Sequence, residues 1–142
     1  MRTQLQTRSR SQIKRAFRAF ITAGSLLLPG TAAAQDSDTK PPELQSVSFS
    51  PASINVFAGP QTVTTTLSLT DDLAGVGGVV VQFRHTTTFQ LQQANAVLSA
   101  GDRRAGTFVA NIVFPQLAAA GSWILSNINI NDLAGNTTNI NT

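Results

Sequence analysis

The feature that most constrains this chain is alternation with period two. In QTVTTTLSLT, residues 61–70, Val63, Thr65, Leu67 and Leu69 fall on one side of an extended backbone, and Thr62, Thr64, Thr66, Ser68 and Thr70 on the other. Successive side chains of a strand point to opposite faces, so such a run buries one face and leaves the other in water. Its β-branched residues suit a pleated, half-buried surface. The pattern recurs with Val79, Val81 and Phe83 in GGVVVQFRHT, and with Phe108, Ala110, Ile112 and Phe114 in GTFVANIVF. In SWILSNINI, Ile124, Ile128 and Ile130 share a face, and Ser126 is the exception.

Shorter runs flank these four. LQSVSFS and SINVFAG precede them, separated by Pro51, and TTNINT closes the chain as a last strand. Residues 88–100 are the least regular and read as one strand or two, with a short helical turn as an option. QLAAAG, between a proline and a glycine, reads as a connection rather than a helix. Gly, Pro, Asp and Asn gather at Gly59-Pro60, 71–78, 101–106, 115–121 and 132–136, which are turn signals between strands. The expected fold class is all-β: an antiparallel sandwich of about seven strands over residues 44–142.

The first 34 residues follow a different logic. Arg2, Arg8, Arg10, Lys14, Arg15 and Arg18 form a basic start without an acidic residue, AFITAGSLLLPG is a short apolar run, and TAAAQ offers small residues at a cleavage site. This is the layout of a signal peptide, with cleavage expected after Ala34 and export to the periplasm, cell surface or exterior. KRAFRAF lacks a true Arg-Arg pair, so the general secretory route is expected over the twin-arginine route. The apolar run is too short and interrupted to span a membrane, so no membrane span is expected after cleavage. Residues 35–43, QDSDTKPPE, read as a flexible leader.

Removing residues 1–34 leaves Lys40, Arg84, Arg103 and Arg104 against Asp36, Asp38, Glu43, Asp71, Asp72, Asp102 and Asp132, a net charge of −3. No basic patch remains, so nucleic acid is not an expected partner. With no cysteine, neither a disulfide framework nor thiol chemistry is available.

From Pro41 onward, PPELQSVSFSP, LTDDLAGV, GTFVANIVFP, GSWIL and INDLAGN occur in an order and spacing that resemble a bacterial immunoglobulin-like module of secreted and surface proteins. The resemblance implies an immunoglobulin-like sandwich, in which an Asp-x-Ala-Gly-Asn turn precedes the final strand. It implies a structural module with no activity of its own, found in tandem or beside other domains.

Asp-Leu-Ala-Gly occurs twice, at 72–75 and at 132–135. With strands labelled A to G, DDLAG lies in the B–C loop, GDRRAG in the D–E loop and NDLAGN in the F–G loop, all expected at one end of the sandwich. Two readings of the repeat stand open. In the first it is turn chemistry: Asp caps a nearby backbone N–H and Gly supplies positive φ. In the second the pole binds Ca²⁺, which takes six to eight hard oxygens, with Asp71, Asp72, Asp132 and Asn136 as candidate ligands. Arg103 and Arg104, beside Asp102, are candidates to neutralise such a cluster.

Other chemistry lacks its parts. His85 is the single histidine, at a strand end, without the partners of a triad or a zinc site, and is expected at the surface. No facing carboxylate pair suits glycoside hydrolysis, and AGVGG opens a strand rather than the helix of a phosphate loop. Trp123, the single tryptophan, is expected in the core rather than on an exposed stacking platform. Phe49, Phe57 and Phe89 read equally as a surface patch or as core. The expected function is that of a non-enzymatic structural or adhesive module, its loop pole facing a protein or glycan partner. The alternatives are a carbohydrate- or small-ligand-binding module, which needs Trp123 on a groove, and an accessory domain of a larger secreted hydrolase.

Overall fold

The computed structural model describes residues 37–142; the expected signal segment lies outside the described residues. Eight strands follow one another: β1 (Glu43–Ser50), β2 (Gln61–Thr70), β3 (Val76–His85), β4 (Leu91–Asn95), β5 (Val97–Gly101), β6 (Ala105–Phe114), β7 (Trp123–Asp132) and β8 (Thr137–Asn141). They form two four-stranded antiparallel sheets, β1-β2-β6-β5 and β4-β3-β7-β8. Among the described residues no helix is long and apolar enough to cross a membrane.

The sheets pack with their apolar faces inward, as the alternation requires. β2 contributes Val63, Leu67 and Leu69, β3 Val79, Val81 and Phe83, β6 Phe108, Ala110, Ile112 and Phe114, and β7 Ile128 and Ile130, all buried. Removing these side chains from water stabilises the sandwich by about 1.5–3 kcal/mol per large aliphatic or aromatic residue. Thr65 completes the inner face of β2, fully buried, with no hydrogen-bond partner for its hydroxyl among the described residues.

Two expectations are revised and one left open is resolved. Ser126 is a β-bulge: Gln82 pairs with Asn127 while Phe83 pairs with Leu125. The extra residue inverts the phase, so Trp123 and Leu125, rather than Ile124, pack against the core on the N-terminal half of β7. Residues 88–100 hold two strands that belong to different sheets. The chain crosses at Ala96, whose N–H donates to Val79 O at 2.9 Å, which makes the strand count eight. SINVFAG forms no strand; Ile54 and Val56 instead pack against the open edge of the core.

A polar pole with three converging carboxylates

The loops 71–75, 102–104 and 133–136 meet at one end of the sandwich, because β2, β5 and β7 all run toward it. The inner-face phase of two strands decides which side chains point into the gap. β2 places residues 63, 65, 67 and 69 inward, and the next position in that series is Asp71. β7 places 128 and 130 inward, and the next is Asp132, which is only 2% exposed. These strands belong to different sheets, so the two carboxylates face each other across the mouth of the core. Asp38 joins from the segment before β1. One carboxylate oxygen from each of Asp38, Asp71 and Asp132 lies within 4.8 Å of those of the other two.

Asp38 was missed by sequence reasoning, because its place follows from strand register rather than from the residues around it. β1 and β2 pair antiparallel with Glu43 opposite Thr70, so residues just before β1 must run alongside those just after β2. The Ala74 N–H donates to Asp38 Oδ2 at 2.6 Å, and the Asn136 side-chain amide donates to Asp38 O at 3.1 Å. Further along the segment, Pro42 is fully buried and its carbonyl accepts a hydrogen bond from the Thr138 hydroxyl.

The two Asp-Leu-Ala-Gly copies are not structurally equivalent. In the β2–β3 loop Asp71, one residue before the copy, accepts at Oδ1 from the N–H groups of Leu73 and Gly75, at 3.2 and 2.5 Å. In the β7–β8 loop Asp132, the first residue of its copy, accepts at Oδ1 from the Asn136 N–H at 2.8 Å. Each capping Asp thus reaches the residue four positions on, so Asp71 corresponds to Asp132, and Asp72 to Leu133. Gly75 and Gly135 both have positive φ, 84° and 97°, but they occupy different positions in this alignment. The loops are tied together by the Leu133 N–H, which donates to Gly75 O at 3.0 Å.

Of the expected ligand set, Asp71, Asp132 and Asn136 come together, and Asp72 does not join them. Asp72 points outward and pairs with Lys40 Nζ at 3.0 Å, between side chains 47% and 77% exposed, a pairing that contributes little to stability. Asp102 also stays apart: its Oδ1 accepts from the N–H groups of Arg104 and Ala105 within its own turn. The arginines do not neutralise the cluster either. Arg103 Nη1 donates to Val76 O at 2.5 Å, and Arg104 donates through Nε and Nη2 to Leu73 O at 2.8 and 2.5 Å. Arg104 thus braces the backbone of the β2–β3 loop, and Arg103 the start of β3.

Burial is the largest single influence on Asp132 and opposes its charge. The Asn136 side-chain amide, at 2.7 Å from Oδ2, and the N–H groups of Asn136, Gly135 and Ala134 together outweigh burial and hold the carboxyl below its usual range. Asp71 is half-buried as a residue, but its carboxylate is enclosed, and Oδ2 has no hydrogen-bond partner among the described residues.

The opposite end carries an apolar cleft of about 750 Å³, lined by Phe49, Ile54, Phe57, Phe114, Leu117 and Trp123 among others. Trp123 is half-buried, its ring edge-to-face with Phe114 and His85 and its Nε1–H donated to Ala119 O at 3.0 Å. His85, expected at the surface, is buried because it is the last inward position of β3. Its Nδ1 accepts from the N–H groups of Thr87 and Thr88, which assigns the ring proton to Nε2, facing Ala120 O at 3.1 Å. Both ring nitrogens thus hold loops in place.

Compared with family models, with curated proteins and with solved structures, the chain matches none.

Proposed function

We propose that this chain is an exported, non-catalytic structural or adhesive module of immunoglobulin type, which presents its polar loop pole to a partner. The strand order supports the immunoglobulin reading: β1-β2-β6-β5 corresponds to strands A-B-E-D, and β3-β7-β8 to C-F-G. The carrying observation is that the braced pole holds two leucines outward, one on each Asp-Leu-Ala-Gly loop. Leu73 is 41% exposed and Leu133 64%, while the loops beneath them are fixed by Arg103, Arg104, Asp71 and Asp132. Apolar tips on a preorganised polar frame lose little conformational entropy on contact, which suits recognition. The alternative of a ligand-binding module rests on Trp123, which lines the cleft at the opposite end, but the ring is half-buried and its N–H and edges are engaged within the fold.

The test has two arms. The full chain, tagged at its C-terminus and produced in a bacterium, is expected outside the cytoplasm with Gln35 as its new N-terminus; an intact chain retained in the cytoplasm would overturn export. Beads coated with the protein are expected to adhere to the producing cells, and Leu73→Glu with Leu133→Glu to abolish adherence. Equal adherence by the double variant would sink the display reading.

A further inference from the structure

We propose that Asp38, Asp71 and Asp132 form a Ca²⁺ site that clamps the segment before β1 onto the β2–β3 and β7–β8 loops. This inference rests on the geometry of the pole and stands or falls independently of adhesion.

Two observations carry it. The first is the convergence itself. Oxygens that share one Ca²⁺ at about 2.3–2.6 Å stand at most about 5 Å apart, and the three carboxylates meet that limit, within 4.8 Å of one another. The second is the enclosed Asp71 Oδ2, which has no hydrogen-bond donor among the described residues. A buried polar atom without a partner costs about 1–3 kcal/mol, and more when charged. The Asp38 and Asp132 carboxylates beside it are acceptors too, the Asn136 amide donates to Asp132 Oδ2 and Asp38 O, and the guanidiniums of Arg103 and Arg104 donate to Val76 O and Leu73 O. A hard divalent cation satisfies Asp71 Oδ2 and relieves the repulsion among the three carboxylates at once.

The donor set selects the metal. Carboxylate oxygens on three separate segments suit Ca²⁺, whose coordination is flexible. Mg²⁺ demands a small octahedron and gives up water reluctantly. Zn²⁺ is bound mainly by nitrogen and sulfur; the chain has no cysteine, and its one histidine is at the opposite end.

The experiment is calorimetric titration of the full chain with CaCl₂ after treatment with EDTA, with MgCl₂ as comparison. One Ca²⁺ per chain is expected, with a Kd of roughly 10⁻⁴–10⁻³ M, the range of extracellular modules. Asp38→Asn is the decisive variant. It keeps an oxygen to accept from the Ala74 N–H and lies outside the core, so the fold persists while one ligand charge is lost. It is expected to weaken binding about tenfold or more, whereas Asp72→Asn leaves affinity unchanged. Hydrogen exchange at the Ala74 N–H is expected to slow on Ca²⁺ addition in the wild type and not in Asp38→Asn. No uptake of Ca²⁺, equal uptake of Mg²⁺, or equal losses in Asp38→Asn and Asp72→Asn would each overturn the site. Adherence of coated beads is scored separately, so a failure of display and a failure of the site are distinguishable.

Discussion

Where β2 stops and β3 begins, the mouth of the sandwich is closed by charge: Asp38, Asp71 and Asp132 meet across it, with Arg103 and Arg104 bracing the loop backbone around them. Where β3 stops and β7 begins, the other mouth is closed by rings: Trp123 stacks edge-on against Phe114 and His85, and Phe83 against Phe49 and Phe114. The same strands supply both ends, since β2 runs from Val63, in the lining of the cleft, to Leu69, next to Asp71. The difference lies in how the loops are specified. At the polar end they are short, at 71–75, 102–104 and 133–136, and side-chain oxygens and guanidiniums bind their backbone directly. At the apolar end they run over 51–60, 86–90 and 115–122, and ring packing joins the neutral hydrogen bonds that His85, Gln90, Gln116 and Trp123 make to loop backbone. One end should therefore respond to ions and pH, and the other to the loss of side-chain volume.

The largest effect is expected from Trp123→Ala. It opens the cleft and removes the ring contacts to Phe114 and His85, and should lower unfolding stability by about 3 kcal/mol, the lower part of the range for aromatic truncations because Trp123 is half-buried. Denaturant unfolding measures this, and the loss should be the same in EDTA and in Ca²⁺. A loss below about 1 kcal/mol would mean that rings do not hold this end.

A smaller effect is expected from Arg104→Ala, which removes both guanidinium bonds to Leu73 O and should cost about 1 kcal/mol. Combined with Trp123→Ala, the two losses should add within about 0.5 kcal/mol, as they do for distant sites. Clear non-additivity in the double-mutant cycle would show that the two mouths are coupled through the core, and the contrast between them would fail.

The smallest effect concerns pH. The Asp102 carboxyl lies below its ordinary value of 3.8, held there by hydrogen bonds first from the Ala105 N–H and then from the Arg104 N–H. A carboxyl depressed in the folded state contributes stability above its unfolded pKa and loses it as pH falls through the folded pKa. Stability should therefore decline slightly below about pH 4 on account of this residue, and Asp102→Asn should remove that part of the decline. Unfolding curves at pH 6 and below pH 4 on the wild type and the variant check it (~pH values spanning the carboxylate range). An unchanged pH slope in the variant would place the polar end's acid sensitivity elsewhere.

Much of this was legible from alternation. The inner faces of β2, β3 and β6 follow from period two, because only one phase of each strand buries its apolar side chains. Even Ser126 carried its message: an exception within an alternating run is what a bulge looks like in sequence. Asp71 and Asp132 were legible as acids at a shared pole, and as continuations of inward-facing series.

Asp72 shows the limit. The repeat of Asp-Leu-Ala-Gly suggested that like residues do like work, yet the structural match is displaced by one position, because strand phase rather than local similarity aims a side chain. SINVFAG and His85 show the same limit. Ile54 and Val56 alternate as a strand would, but the run joins neither sheet, and both side chains pack against the core from a loop. His85 is polar, but it occupies the last inward position of β3, so it is buried and its nitrogens hold the adjoining loops.

What the sequence by itself determined is the all-β class, the inner faces of β2, β3 and β6 and most of the places where the chain turns, since each follows from which side chains water excludes over a few neighbouring residues. What only the tertiary structure decided is the company those residues keep. Asp38, Asp71 and Asp132 are far apart along the chain, and they meet because antiparallel pairing lays the start of β1 beside the end of β2, while sheet packing brings β7 across from both.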